Sequence, residues 1–380
     1  MAFGKKNTVD LNPLHYNIGL IGESGIGKTT LMKEVCELLA PEIDDRIGYL
    51  HLDIGKEDGA DAIEGIITEK VENWAKFELV LNDIIKNRFT EYPNLQTVIL
   101  DTYDELINIA EPQVIKLHNL EHSDKPKINS INAAFGGFGK GQDKVIDLIL
   151  DKLWELKKVG VHFILVMHTK TKDIDDPVTG TSYTTLTGNL SQKYFNAIKT
   201  KLHFLGAAYI DRTIVTQKTG KQNLVTKEDI TRNIVTGSAR VINFRDDNYS
   251  VDSKSRFSEI VDCIEFDRDA FIKAMQDAIL AESAKGKTLK QAKEYQKQRD
   301  AEAIENAKKY SENKNTEENN EERSAELIGF IQTNITNVPS TTKQQMKRIM
   351  AEYGFAKFTD ETVTIEALEK IVDLFKENMN

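Results

Sequence analysis

Gly22-Glu23-Ser24-Gly25-Ile26-Gly27-Lys28-Thr29-Thr30 constrains this chain more than any other stretch. It matches GxxxxGK[ST], it follows the apolar run 16–21, and it opens a helical pattern over 29–39. A strand, a Gly-rich turn and a helix start in that order form a cradle for phosphate. Glycines let backbone N–H groups close around phosphate oxygens with no Cβ in the way. The helix end adds partial positive charge. Lys28 is placed to reach β- and γ-phosphates, and the Thr29 hydroxyl suits Mg²⁺, a hard ion that prefers oxygen. A bare Gly-rich turn is the bland alternative, and the strand–turn–helix context disfavours it.

The rest of the pattern predicts an α/β fold. Residues 47–53 read as a second strand and 60–88 as a long helical stretch. TVILD at 97–101 is a third strand, nearly all apolar, as expected when both faces are covered. Val145, Ile149, Leu153 and Leu156 mark one face of a helix over 142–158, and 161–167 is a fourth buried strand. Such alternation indicates a mostly parallel sheet with crossover helices. Residues 202–217 and 233–244, with the polar stretch 218–231 between them, read as antiparallel strands added at one edge. A helix over 257–280 closes this first domain, expected at 1–280.

Residues 281–324 are poor in bulky apolar groups. They run basic (Lys285, Lys287, Lys290, Lys293, Lys297, Arg299) and then acidic (Glu317, Glu318, Glu321, Glu322). Such a segment buries too little surface to offset its ordering entropy, so an exposed helix giving way to a linker is expected. Apolar periodicity returns over 325–380, which predicts a small helical unit of three helices.

Around the phosphate motif, charged residues fall where strands end. Asp101 closes TVILD and is the candidate second Mg²⁺ ligand, on a strand expected beside the P-loop. A carboxylate that orients the attacking water could be Asp53, Glu57 or Asp58 after the second strand, or Asp104 or Glu105 after the third. His168 ends the fourth strand, where it could hydrogen-bond a γ-phosphate. Lys254 and Arg256 could serve as a finger across a subunit boundary. Two long loops combine lysine with aromatics, which suits the phosphates and bases of a single strand. One is 125–144, with Lys127, Phe135, Phe138, Lys140 and Lys144. The other is 169–192, with Lys170, Lys172 and Tyr183.

Composition excludes several other classes. The net charge of -10 counts mildly against a dedicated duplex-binding domain. The two cysteines lack CxxC spacing, which argues against a disulfide framework or a zinc site. No apolar run approaches the roughly 20 residues of a membrane span. The N-terminus has no apolar signal core, so a cytoplasmic location is expected.

GESGIGKTT at 22–30, TVILDTYDEL at 97–106, FGGFGKGQDK at 135–144, GVHFILVMHTK at 160–170 and KSRF at 254–257 together resemble the RecA-core ATPases of bacteriophages, the Sak-type single-strand annealing proteins. The resemblance covers roughly 14–275. It implies a RecA-like core using ATP and Mg²⁺, single-stranded DNA binding in phage recombination or replication, and a homo-oligomer with ATP at subunit boundaries in the host cytoplasm. By the same resemblance His168 is the sensor, Lys254 or Arg256 the finger, and Glu57 the activating glutamate. The sequence departs from the family at Glu57, reading LDIGKEDG with Asp53 directly at the strand end. The C-terminal unit has no family counterpart, and its tethering suggests docking to a replication protein, a single-strand-binding protein or DNA. Two other functions fit the same core: a ring helicase or helicase loader, and a nucleotide-switched assembly factor. DNA-stimulated hydrolysis without unwinding separates the first reading from both.

Overall fold

A computed structural model describes residues 7–176, 180–222, 229–245, 251–285, 288–360 and 363–378. Lys287 and residues 223–228 of the polar stretch expected at 218–231 lie outside the described residues. The chain divides into two units, Met1–Ala307 and Lys308–Asn380.

The first unit is built on a ten-stranded sheet. Its strands are β1 Ile18–Gly22, β2 Tyr49–Ile54, β3 Thr68–Val71, β4 Thr97–Asp101, β5 His162–Asp175, β6 Ser182–Gly188, β7 Phe204–Gln222, β8 Asp229–Asn243, β9 Lys254–Ser255 and β10 Cys263–Glu265. Their order is β10-β8-β7-β1-β5-β4-β2-β3. From β7 to β3 all pairings along this path are parallel, and β8, β9 and β10 add antiparallel edges. The helices are α1 Lys28–Leu39, α2 Trp74–Lys86, α3 Tyr103–Glu121, α4 Lys140–Lys158, α5 Gln192–Lys199 and α6 Arg268–Ala284.

Alternate residues of the central strands face opposite sides. Ile164 and Val166 of β5 join the cluster that α1 and α6 cover through Leu31, Met32, Val35, Phe271 and Met275. Phe163 faces Trp154 of α4, on the side where α2, α3, α4 and α5 pack together. Because both faces are covered, β1 and β4 are buried at every position.

The structure corrects four sequence expectations. The helical stretch 60–88 is interrupted by β3, an edge strand whose residues are mostly solvated, so no apolar run announces it. Segment 169–192 is not a loop. β5 continues past the sheet and pairs with β6 from Thr169↔Gly188 to Asp175↔Ser182, with the Ser182 and Thr184 hydroxyls donating to the Asp175 and Asp173 carboxylates along the ladder. β7 is an interior strand, parallel to β1, and only its far side carries the antiparallel β8. Finally, β4 does not lie beside β1, because β5 is inserted between them.

α7 spans Leu289–Asn334, so the charged segment is helical from Leu289 onward rather than giving way to a linker. In the second unit the end of α7, α8 Ser340–Glu352 and α9 Ile365–Asn378 enclose Leu327, Ile331, Met346, Met350, Leu368, Ile371 and Phe375. No described helix is long and apolar enough to cross a membrane.

Candidate functional site

Parallel strands deliver their last residues to one rim of the sheet, and the candidate site is assembled there. β1 ends at Gly22, and the loop to α1 turns through Gly27 at φ 105°, a left-handed conformation that favours glycine. Lys28, the first residue of α1, folds back into this loop. Its ammonium donates to the carbonyls of Gly22 (3.0 Å) and Glu23 (2.9 Å). The side chain is buried, and burial pulls its pKa down against the opposing pull of Asp101, Asp104 and Glu57.

Asp101 reaches the same place from β4. Its Oδ2 accepts from the Thr29 hydroxyl at 2.6 Å and lies 3.1 Å from His51 Nε2. An ionised carboxylate only accepts, so Nε2 carries the proton, while His51 Nδ1 meets the Thr68 hydroxyl at 3.0 Å. Burial alone would raise the Asp101 pKa. The His51 and Thr29 hydrogen bonds and the charge on Lys28 outweigh it and hold the group below its ordinary value. Asp53 pairs in register with Asp101 from β2. Its Oδ2 is buried and has no hydrogen-bond partner among the described residues, and burial raises its pKa.

The other carboxylates separate by environment. Glu57 is partly exposed, 3.7 Å from His168 Nε2, and accepts from Thr102 Oγ1 at 3.4 Å. Partial burial raises its pKa, with His168 opposing and Asp101 and Glu105 assisting. Asp104 is buried, and its Oδ2 accepts the His168 backbone N–H at 2.9 Å. Burial pushes it up to about 6 even though His168 opposes the rise. Glu105 turns to Asn108 and packs against Gly55, whose φ of 85° leaves no room for a side chain: a Cβ there would sit 2.3 Å from Glu105 Oε2. Asp58 leaves the site, paired with Lys70 at 3.0 Å.

Lys28, Thr29, Asp101, Glu57, Asp104 and His168 therefore converge. His168 sits directly beside Gly22 in the β1–β5 register. Lys254 and Arg256 do not join them. β9 pairs with Phe204 and Leu205, which lie beside the start of β1, at the end of that strand away from the P-loop. There Lys254 donates to Lys199 O, and Arg256 to Leu202 O and Thr200 O. Of the two lysine-bearing segments, the first contains the 3₁₀ turn Ile131–Gly136 and the start of α4, and Lys127 lies on the loop that Asn119 pins through Ile128.

Sequence reasoning missed His51 and Arg240. The first had a signal, a polar residue inside the apolar run YLHLDI, two positions from Asp53 on the same face. The second had none: Arg240 donates to Ile26 O at 3.2 Å across 214 residues of chain.

A family model described as AAA domain matches residues 15–257. No curated protein matches the chain. Among solved structures, a KaiC-like protein of the hyperthermophilic archaeon Pyrococcus horikoshii OT3 is similar at 9% identity over 60% of this chain and 85% of that chain, with a TM-score of 0.28. The family match takes in the P-loop, the β4 aspartate and every strand from β1 to β9. The chain belongs to the AAA-domain family, and its rim site is that of a P-loop nucleotide-binding protein.

Proposed function

We propose that this protein hydrolyses ATP with Mg²⁺ and acts on single-stranded DNA in phage recombination or replication. The donor set fits the metal. The Thr29 hydroxyl and the Asp101 carboxylate are hard oxygen ligands already 2.6 Å apart, and Asp53 Oδ2, which has no partner among the described residues, lies on the next strand. Mg²⁺ bound by Thr29 and Asp101 would neutralise charge on the phosphate oxygens. Lys28 exchanges its two carbonyl partners for phosphate oxygens. Glu57, partly exposed and with a raised pKa, takes a proton from the attacking water and orients it. His168 stands between Glu57 and Asp104 and registers the γ-phosphate, while Asp104 fixes the His168 backbone. Glu57→Gln should slow hydrolysis about a hundredfold with ATP affinity kept. Steady-state rates beside nucleotide titrations read this. If Asp104→Asn slows turnover and Glu57→Gln does not, the role passes to Asp104.

One observation carries the DNA reading. β5 runs unbroken from His168 to Lys170 and Lys172, whose ammonium groups donate to Leu190 O and to Gln192 Oε1. The next residue, Lys193 of α5, donates to Gly139 O at 2.7 Å, which joins α5 to the FGGFGK turn. That turn presents Phe138 fully exposed ahead of Lys140. Its backbone holds Phe135 and Phe138 at φ 54° and 51°, a costly conformation for an aromatic residue. Lysines with a free aromatic suit a single strand, and β5 links them to the residue that reads the γ-phosphate. Homo-oligomers with ATP at subunit boundaries, and a replication partner for the C-terminal unit, belong to the same proposal. Hydrolysis by the wild type should rise with added single-stranded DNA, and the stimulation should fade as salt increases. Equal rates with and without DNA would count against this reading.

A further inference from the structure

Beside the phosphate loop lies a cleft of about 220 Å³, bounded by Gly27 and Thr30, by Glu34 of α1, and by Arg240, Phe266 and Asp267. Two flat groups form one of its walls. The Arg240 guanidinium carbon sits 5.4 Å from the centroid of the Phe266 ring. The same guanidinium donates to Ile26 O at 3.2 Å, and the ring edge is 3.4 Å from where a Cβ on Gly27 would stand. Phe266 is half-buried and Arg240 is exposed, so an aromatic face and a planar cation meet solvent at the end of the phosphate cradle where α1 begins.

We infer that this cleft holds the base and ribose of the bound nucleotide, with the base stacked on the Phe266–Arg240 pair. The inference rests on the P-loop reading, because only a triphosphate seated at Gly22–Thr30 carries its nucleoside to this wall. A heteroaromatic base gains from both an aromatic face and a guanidinium plane. Glu34 lies one helical turn beyond Thr30 and offers a carboxylate to the ribose hydroxyls. Arg240 is also bonded to the loop itself, so a stacked base steadies the turn that grips the phosphates. β8, which carries Arg240, is thereby part of the nucleotide site.

Direct titration with ATP and with inorganic tripolyphosphate, both with Mg²⁺, tests this on wild type, Phe266→Leu, Phe266→Trp and Arg240→Gln. Leucine keeps apolar packing against Gly27 and removes the aromatic face. Phe266→Leu should bind ATP about 10-fold more weakly, with tripolyphosphate affinity unchanged, and Phe266→Trp should bind ATP as wild type does. Arg240→Gln should weaken ATP more than tripolyphosphate. Unchanged ATP affinity in Phe266→Leu overturns the inference. Equal losses of ATP and tripolyphosphate overturn it too, since Phe266 would then act on the shape of the loop. If wild type binds neither ligand, the phosphate site itself is wrong, an outcome distinct from the other two.

Discussion

Lys28→Ala should lower ATP hydrolysis about a thousandfold, because it removes the one ammonium inside the phosphate loop where charge develops during phosphoryl transfer. The Lys28 side chain already points into that loop, bonded to Gly22 O and Glu23 O. Its effect on folding has the opposite sign. Burial depresses the Lys28 pKa, so the folded state disfavours the charged form, and at neutral pH that charge costs stability. The cost is relieved as pH rises through the depressed value toward 10.5, the ordinary value for lysine. Lys28→Met, which is neutral and fills the space, should therefore melt no lower than wild type at neutral pH while losing turnover. A hydrolysis assay beside a thermal melt reads both. Wild-type turnover in Lys28→Met would contradict the assignment.

Asp101→Asn should lower hydrolysis about a hundredfold to a thousandfold and weaken its dependence on Mg²⁺. The substitution is mild for the fold. The Thr29 and His51 hydrogen bonds both end on Oδ2, and an asparagine carbonyl oxygen placed there accepts both. The variant loses the negative charge that faces Lys28 and the metal site, and its amide NH2 replaces the acceptor Oδ1. Because the folded pKa of Asp101 is depressed, its ionised form contributes stability above the ordinary carboxylate value of 3.8, and that contribution is lost as pH falls through the lower folded value. Wild type should thus exceed Asp101→Asn in melting temperature at neutral pH, and the gap should close in acid. Wild-type hydrolysis with unchanged Mg²⁺ dependence in the variant would remove Asp101 from the metal site.

Much of this site was legible because its residues stand at or just past the ends of apolar runs. Asp101 and His168 close buried runs, Lys28 and Thr29 come one tight turn after a third, and such runs in a parallel sheet bring their ends to one rim. Residue pattern alone did not rank the five carboxylate candidates, and only the family resemblance favoured Glu57, since ranking by environment depends on burial. Asp104 proves buried under the His168 N–H, Asp58 is tied to Lys70, and Glu57 stays open. Strand order was not legible either, because the crossover connections that insert β5 between β1 and β4 leave no local mark. β3 and the β5–β6 hairpin escaped detection because their faces are largely solvated and their pairing is held by backbone ladders and hydroxyls. The place of Arg240 depends on a hairpin returning the chain to the P-loop, and no periodicity encodes that.

The central claim is that a loop of backbone amides at Gly22–Thr30 and an aspartate at the end of β4 hold a metal-bound triphosphate. Calorimetric titration of the full chain with ATP, with and without Mg²⁺, tests it most directly. Saturable binding that weakens when Mg²⁺ is withheld, and that disappears in Lys28→Ala, is the predicted result. Absence of binding in the wild type, or binding indifferent to both Mg²⁺ and Lys28, would contradict it.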